Sequence, residues 1–190
     1  MSIGSLIRSS YLLYFAQPAA DRALYWAVKG RPIRVIVELG IGLGETAHHR
    51  TERLLEVASW WRDCLPLVYT GIDLFEGRPA NQPRLMLKQA FHDLRATGAK
   101  TRLVPGDPYS ALTRTANALT GTDLLIISAD VDAKSLAQAW RFVPRMIHPQ
   151  TLIFQHDVRS GPGKESWRKL KHEDVLELAA AANRAIRRAA

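Results

Sequence analysis

Glu38-Leu39-Gly40-Ile41-Gly42-Leu43-Gly44-Glu45 follows the apolar run Val35-Ile36-Val37 and sets two carboxylates around three alternating glycines. Backbone without Cβ atoms allows a sharp turn and a close ligand approach. Glu38 and Glu45 oppose a pyrophosphate, and Glu38 attracts an ammonium or sulfonium group. The spacing also departs from Gly-x-Gly-x-x-Gly, and no Gly-Lys-Ser or Gly-Lys-Thr follows it, so neither familiar phosphate loop is present. Asp73, after Tyr69-Thr70-Gly71-Ile72, is placed to accept from both hydroxyls of a ribose while its charge rejects a 2′-phosphate. Asp107, in Pro105-Gly106-Asp107-Pro108, could accept from an adenine amino group. Plainer readings stand beside these: a ligand-free tight turn at the glycines, an exposed loop aspartate at 73, and a Pro-Gly-Asp-Pro turn at 107.

Two further segments carry groups suited to an acceptor. Ser128-Ala129-Asp130-Val131-Asp132 and Gln155-His156-Asp157 each follow an apolar run. His156 is the candidate base, because an imidazole titrates near neutrality, with Asp130 or Asp157 to orient it or hold the acceptor. A structural role for His156 is equally open.

Such groups act together only if the elements between them bring them to one place. Strands are expected at 33–38, 67–72, 101–104, 123–127 and 151–155, in runs rich in Val, Ile and Leu as strands buried on both faces require. Helical stretches separate them. Leu136, Trp140, Val143 and Ile147 form one apolar stripe over 132–147, and Leu87, Phe91 and Leu94 form another over 84–97. This rhythm predicts an α/β fold, a Rossmann-like, mostly parallel sheet with helices on both faces. Ligands then sit beyond the carboxyl ends of the strands. One domain spans 1–190: a helical extension at 1–30, a core at 33–157, and a loop with a C-terminal helix at 158–190. Tyr11, Tyr14, Phe15, Tyr25 and Trp26 in the extension either cover the domain's rim or form a partner surface.

With these motifs the chain resembles the class I S-adenosylmethionine-dependent methyltransferases over about residues 33–157, nearest the compact small-molecule O-methyltransferases. The resemblance implies S-adenosylmethionine as cofactor, with Glu38, Gly40, Gly42 and Gly44 around the methionine part. It gives the ribose to Asp73, the adenine edge to Asp107, and the adenine walls to Pro108 and Tyr109. It further implies methyl transfer to a small molecule at a hydroxyl oxygen, with His156, Asp130 and Asp157 as catalytic residues. His48 and His49 either approach the cofactor helix or are solvated helix residues. Ser128 stands where metal-dependent relatives carry an aspartate, so no metal site is assigned. Members of the family end in an antiparallel pair, strands six and seven, and the 33 residues after Asp157 show no such pair. A minimal five-stranded sheet, or an edge covered by a second copy in a homodimer, is therefore expected.

Composition narrows the classes. The 190 residues carry a net charge of +8, of which residues 1–50 and 151–190 hold +3 each, with no basic run interleaved with aromatics. No specific nucleic-acid partner is expected. The single cysteine, Cys64, excludes an internal disulfide framework and a cysteine-rich zinc site. No membrane span is read, and a cytoplasmic protein is expected. A noncatalytic binding or scaffolding protein of the same fold is the alternative, and a nicotinamide-dependent oxidoreductase is disfavoured by Glu38 and Glu45.

Overall fold

A computed structural model describes residues 3–42, 47–60, 66–158 and 165–189. Its strands are β1 (Val35–Leu39), β2 (Val68–Asp73), β3 (Lys100–Pro105), β4 (Thr122–Ile127), β5 (Ile147–Val158) and β6 (Glu165–Leu170). They form one sheet in the order β3-β2-β1-β4-β5-β6, parallel except for β6, which pairs antiparallel with β5. The expected Rossmann-like architecture is present. The chain steps outward from β1 to β2 and β3, then returns to place β4 on the other side of β1. That reversal opens a crevice at the carboxyl ends of β1 and β4.

The helices are α1 (Ile3–Tyr14), α2 (Arg22–Val28), α3 (Ala47–Ser59), α4 (Leu87–Ala96), α5 (Pro108–Thr115), α6 (Ala133–Ala139) and α7 (His172–Ala189). Alternation along each strand divides the core in two. Ile36, Tyr69, Leu124, Ile126 and Phe154 face a core that includes Leu12, Leu24, Tyr25 and Leu55 from α1 to α3. Val37, Leu39, Ile72, Leu125 and Ile153 face the other, with Leu112, Leu136 and Val175 from α5 to α7. The N-terminal helices therefore complete a core rather than cover a rim, although Tyr11, Tyr14, Phe15 and Trp26 remain exposed.

Two elements differ from expectation. The stripe over 132–147 is divided: α6 ends at Ala139, a 3-10 segment with Pro144, which lacks an N–H, continues to Arg145, and Ile147, expected on the stripe, already begins β5. Residues 165–170, read as loop, form β6, so the described sheet has six strands where a minimal five-stranded one was expected. Trp167 and Leu170 are buried there, one in each core, and the described residues between and beside them are exposed, so the apolar signal is too sparse for a strand pattern. Arg168 and Lys169 put charge on this edge, which discourages pairing with another chain. No helix among the described residues is long and apolar enough to cross a membrane.

Candidate functional site

The crevice is a small cleft bounded by Gly40, Asp73, Arg78, Asp107, Pro108 and Asp130, with a cavity volume of about 40 Å³. Ligand pockets run to about 300–1,000 Å³. What closes this one is protein. Gly40 adopts φ +77°, and a Cβ there would lie 2.7 Å from Val131 Cγ2 and 3.2 Å from Asp130 Oδ1. This glycine is demanded by the turn after β4 packing onto it.

Asp73 ends β2 and is almost fully buried. Its Oδ2 accepts from Ile41 N at 2.8 Å, and its Oδ1 accepts from Phe75 N at 2.8 Å. Arg78 then closes a fork on it, donating through Nε to Oδ1 at 2.8 Å and through Nη2 to Oδ2 at 2.6 Å. The same guanidinium donates to the Gly42 carbonyl at 2.7 Å and lies 3.7 Å from Asp130 Oδ2. Burial disfavours the Arg78 cation, but Asp73 more than compensates and holds its pKa above the ordinary value. Asp130 keeps Oδ1 buried with no hydrogen-bond partner. Burial raises this carboxyl above its usual range; Asp73 adds to the rise while Arg78 opposes it.

Asp107 faces the cleft but serves as the N-cap of α5. Its carboxylate accepts from Tyr109 N at 3.1 Å, Ser110 N at 3.2 Å, Ser110 Oγ at 2.5 Å and the Ser135 hydroxyl. Burial alone would raise its pKa, yet the bonds from Ser110 and Ser135 hold it below the ordinary value. Asp107→Ala should lower stability by about 1 kcal/mol, read from urea midpoints. Because the folded pKa is depressed, the loss is full above about pH 4 and shrinks as pH falls through that folded value. Pro108 opens α5, and Tyr109 packs against Phe142 with ring centroids 5.9 Å apart.

Glu38 does not face the cleft. It is wholly buried on the α3 side of the sheet, where it binds the Arg50 guanidinium and accepts from Thr51 Oγ1 at 2.8 Å and Tyr69 OH at 2.7 Å. Gly71 makes the tyrosine contact possible, since a Cβ at that position would sit 2.7 Å from the Tyr69 oxygen. Burial, and then Glu38, push the Tyr69 phenol well above its ordinary pKa, so it stays a donor. Arg50 also donates to Ser128 Oγ at 3.0 Å and lies 5.0 Å from the Trp167 ring. The expected place of Glu38 beside a ligand is thus replaced by an internal ion pair. Ser128 serves that pair.

The three residues expected to be catalytic are divided. Asp130 lies in the cleft. His156 stacks on Trp167 across the β5–β6 pairing, with centroids 4.5 Å apart, and Asp157, its neighbour in β5, leaves the opposite face of the sheet. Gly44 and Glu45 lie outside the described residues. Asp73, Gly40, Gly42, Asp107, Pro108 and Asp130 do meet around one place, and the carbonyl of Gly42 is spanned by Arg78. Sequence reasoning missed Arg50 and Arg78, the two cations that neutralise the acidic strand ends. It also missed a cluster in which His48, His49 and Glu52 bring ligand atoms within 4.8 Å of one another.

A vicinal diol and a cation suit the acceptors and charges of this cleft. The space does not suit them while Arg78 rests on Asp73, because about 40 Å³ cannot take an adenosine.

No family model and no curated protein matches the chain. Among solved structures it is similar to the crystal structure of MNMC2 from Aquifex Aeolicus, with TM-score 0.44, 15% identity, and coverage of 91% of this chain and 66% of that one. It is also similar to a structure of loganic acid methyltransferase with SAH, with TM-score 0.34, 11% identity, and coverage of 83% and 53%. The chain therefore spans less than two thirds of either protein's length. Strand order and pairing define the fold.

Proposed function

We propose that the cleft at the ends of β1, β2 and β4 takes S-adenosylmethionine when Arg78 leaves Asp73, and that the chain is a methyltransferase for a small molecule, acting at a hydroxyl oxygen. The observation that carries this reading is the fork on Asp73. Two N–H donors of one guanidinium occupy the two carboxylate oxygens in the way the two hydroxyls of a ribose would. Around that fork the charge is acidic, from Asp73, Asp107 and Asp130, which suits a sulfonium and repels a pyrophosphate. Asp73 would hold the ribose. Asp130, with a raised pKa and a buried oxygen lacking a partner, would receive the acceptor's proton better than an ordinary carboxylate.

A second reading, a noncatalytic binding protein that retains the fold, is favoured by the side chains of Arg78 and Val131, which fill the space over the glycine turn. Calorimetric titration separates the two. The full chain should bind S-adenosylmethionine and its demethylated product in the micromolar range. Asp73→Asn should weaken both at least about tenfold, the loss of a charged hydrogen bond worth about 1.5–3 kcal/mol. Binding without methyl release to any of a broad panel of hydroxylated acceptors would support the second reading. No binding by the wild type or by Arg78→Ala would remove the cofactor.

A further inference from the structure

The strongest chemistry outside the cleft lies in the first turns of α3, where it packs against α4. His48 is buried, and its Nε2 faces two carboxylates at once: Asp93 Oδ2 at 3.0 Å and Glu52 Oε1 at 3.8 Å. One imidazole nitrogen has a single hydrogen to give, so two acceptors converge where at most one can be satisfied. His49 brings its Nδ1 to 2.7 Å from the other oxygen of Glu52. Both histidines and Glu52 come from the first two turns of α3, since positions i and i+4 share a helix face. Asp93 comes from α4, and Gln89 one turn earlier donates to both its oxygens at 2.9 and 2.8 Å. His48 Nδ1 is buried without a hydrogen-bond partner, so the ring's polar contacts lie on the Nε2 side.

We infer that His48, His49, Glu52 and Asp93 form a divalent transition-metal site, with zinc its best-suited ion, joining α3 to α4. Two neutral imidazoles and two carboxylates carry a charge of about −2, which a divalent ion cancels. Nitrogen and oxygen ligands at about 2.0–2.2 Å in a tetrahedron lie about 3.3 Å from one another. The separations of 3.0 and 3.8 Å around His48 Nε2, and of 2.7 Å between His49 Nδ1 and Glu52 Oε2, scatter about that spacing. A hard ion such as magnesium or calcium would want oxygens in place of the imidazoles. Gln89 supplies the outer hydrogen bonds that fix a carboxylate ligand. The entry path is an open groove of about 570 Å³ that His49, Glu52 and Asp93 help to line. The cations beside it are engaged elsewhere: Arg8 pairs with Glu56, and Arg53 donates to the Gln17 carbonyl. His92, exposed, sits 3.1 Å from Asp93 Oδ1. This site is independent of the proposed cofactor cleft and stands whether or not that cleft takes S-adenosylmethionine.

The test is titration of the untagged full chain with zinc ions, read by calorimetry and by thermal melting. One ion per chain should bind, and the melting temperature should rise with zinc concentration as binding to the folded state requires. Glu52→Gln and Asp93→Asn change partly exposed helix positions and leave His48 in place, so they keep the fold. Each should weaken zinc at least about tenfold, whereas His172→Ala should not change it. Cobalt loaded in place of zinc should show the visible absorption of a four-coordinate site, lost in both variants. The inference is overturned by an absence of saturable binding, or by zinc affinity that Glu52→Gln and Asp93→Asn both leave unchanged. Either result would make the cluster a set of interhelical ion pairs.

Discussion

Replacing Glu38 by alanine is expected to lower folding stability by about 3–5 kcal/mol, the cost of stranding a buried charge. Three donors lose their acceptor together: the Arg50 guanidinium, Thr51 Oγ1 and Tyr69 OH. Arg50 cannot turn to water from this position, since its side chain is 11% exposed, and Ser128 is the other hydrogen-bond acceptor it has among the described residues. The measurement is a urea midpoint with an unchanged slope. Glu38→Leu combined with Arg50→Met should recover part of the loss, because removing both charges is far less costly than removing one. A ligand-binding role for Glu38 makes the opposite forecast, a stable variant with lost affinity. Stability near wild type in Glu38→Ala would therefore overturn the internal ion pair.

The fate of Glu38 shows how far residue type and spacing reach. The strands were legible because apolar runs such as Val35-Ile36-Val37 and Leu124-Leu125-Ile126-Ile127 are long enough to bury both faces, and they fixed where Asp73, Asp107 and Asp130 must emerge. Which way a carboxylate turns once it emerges is a tertiary matter. Glu38 lies one residue before Leu39, and that single step along the strand sends it to the opposite face. There α3 supplies Arg50 and Thr51 from a packing that no local pattern encodes. Arg78 was hidden for a similar reason. In Glu76-Gly77-Arg78-Pro79 it reads as a solvated turn residue, and only the 3-10 turn Phe75–Gly77 folds it back onto Asp73. His48 and His49 were visible as a neighbouring pair, but Glu52, three and four positions further on, was not joined to them. Asp93 was not, because the fourth ligand comes from α4, 41 positions after Glu52. β6 escaped because an edge strand needs few apolar residues.

Arg78→Ala is expected to move two measured quantities in opposite directions. Stability should fall by about 3 kcal/mol or more, since Asp73 and Asp130 are left as neighbouring buried carboxylates without their shared cation. Affinity for S-adenosylmethionine should rise about tenfold or more, equivalent to about 1.4 kcal/mol, because the wild type must break the fork on Asp73 before a ribose can take its place. A charge argument sharpens this forecast. With Arg78 gone, the cleft holds an excess of negative charge, so the sulfonium of S-adenosylmethionine should gain more than the uncharged thioether of its demethylated product. Calorimetry on the two ligands reads that difference directly, and the ligand-induced shift in melting temperature reads it a second way. A purely structural clasp would lose stability in the same variant but bind neither ligand, so the stability change alone decides nothing. The contrast between sulfonium and thioether separates a ligand site closed by its own arginine from a cleft that is only packed shut.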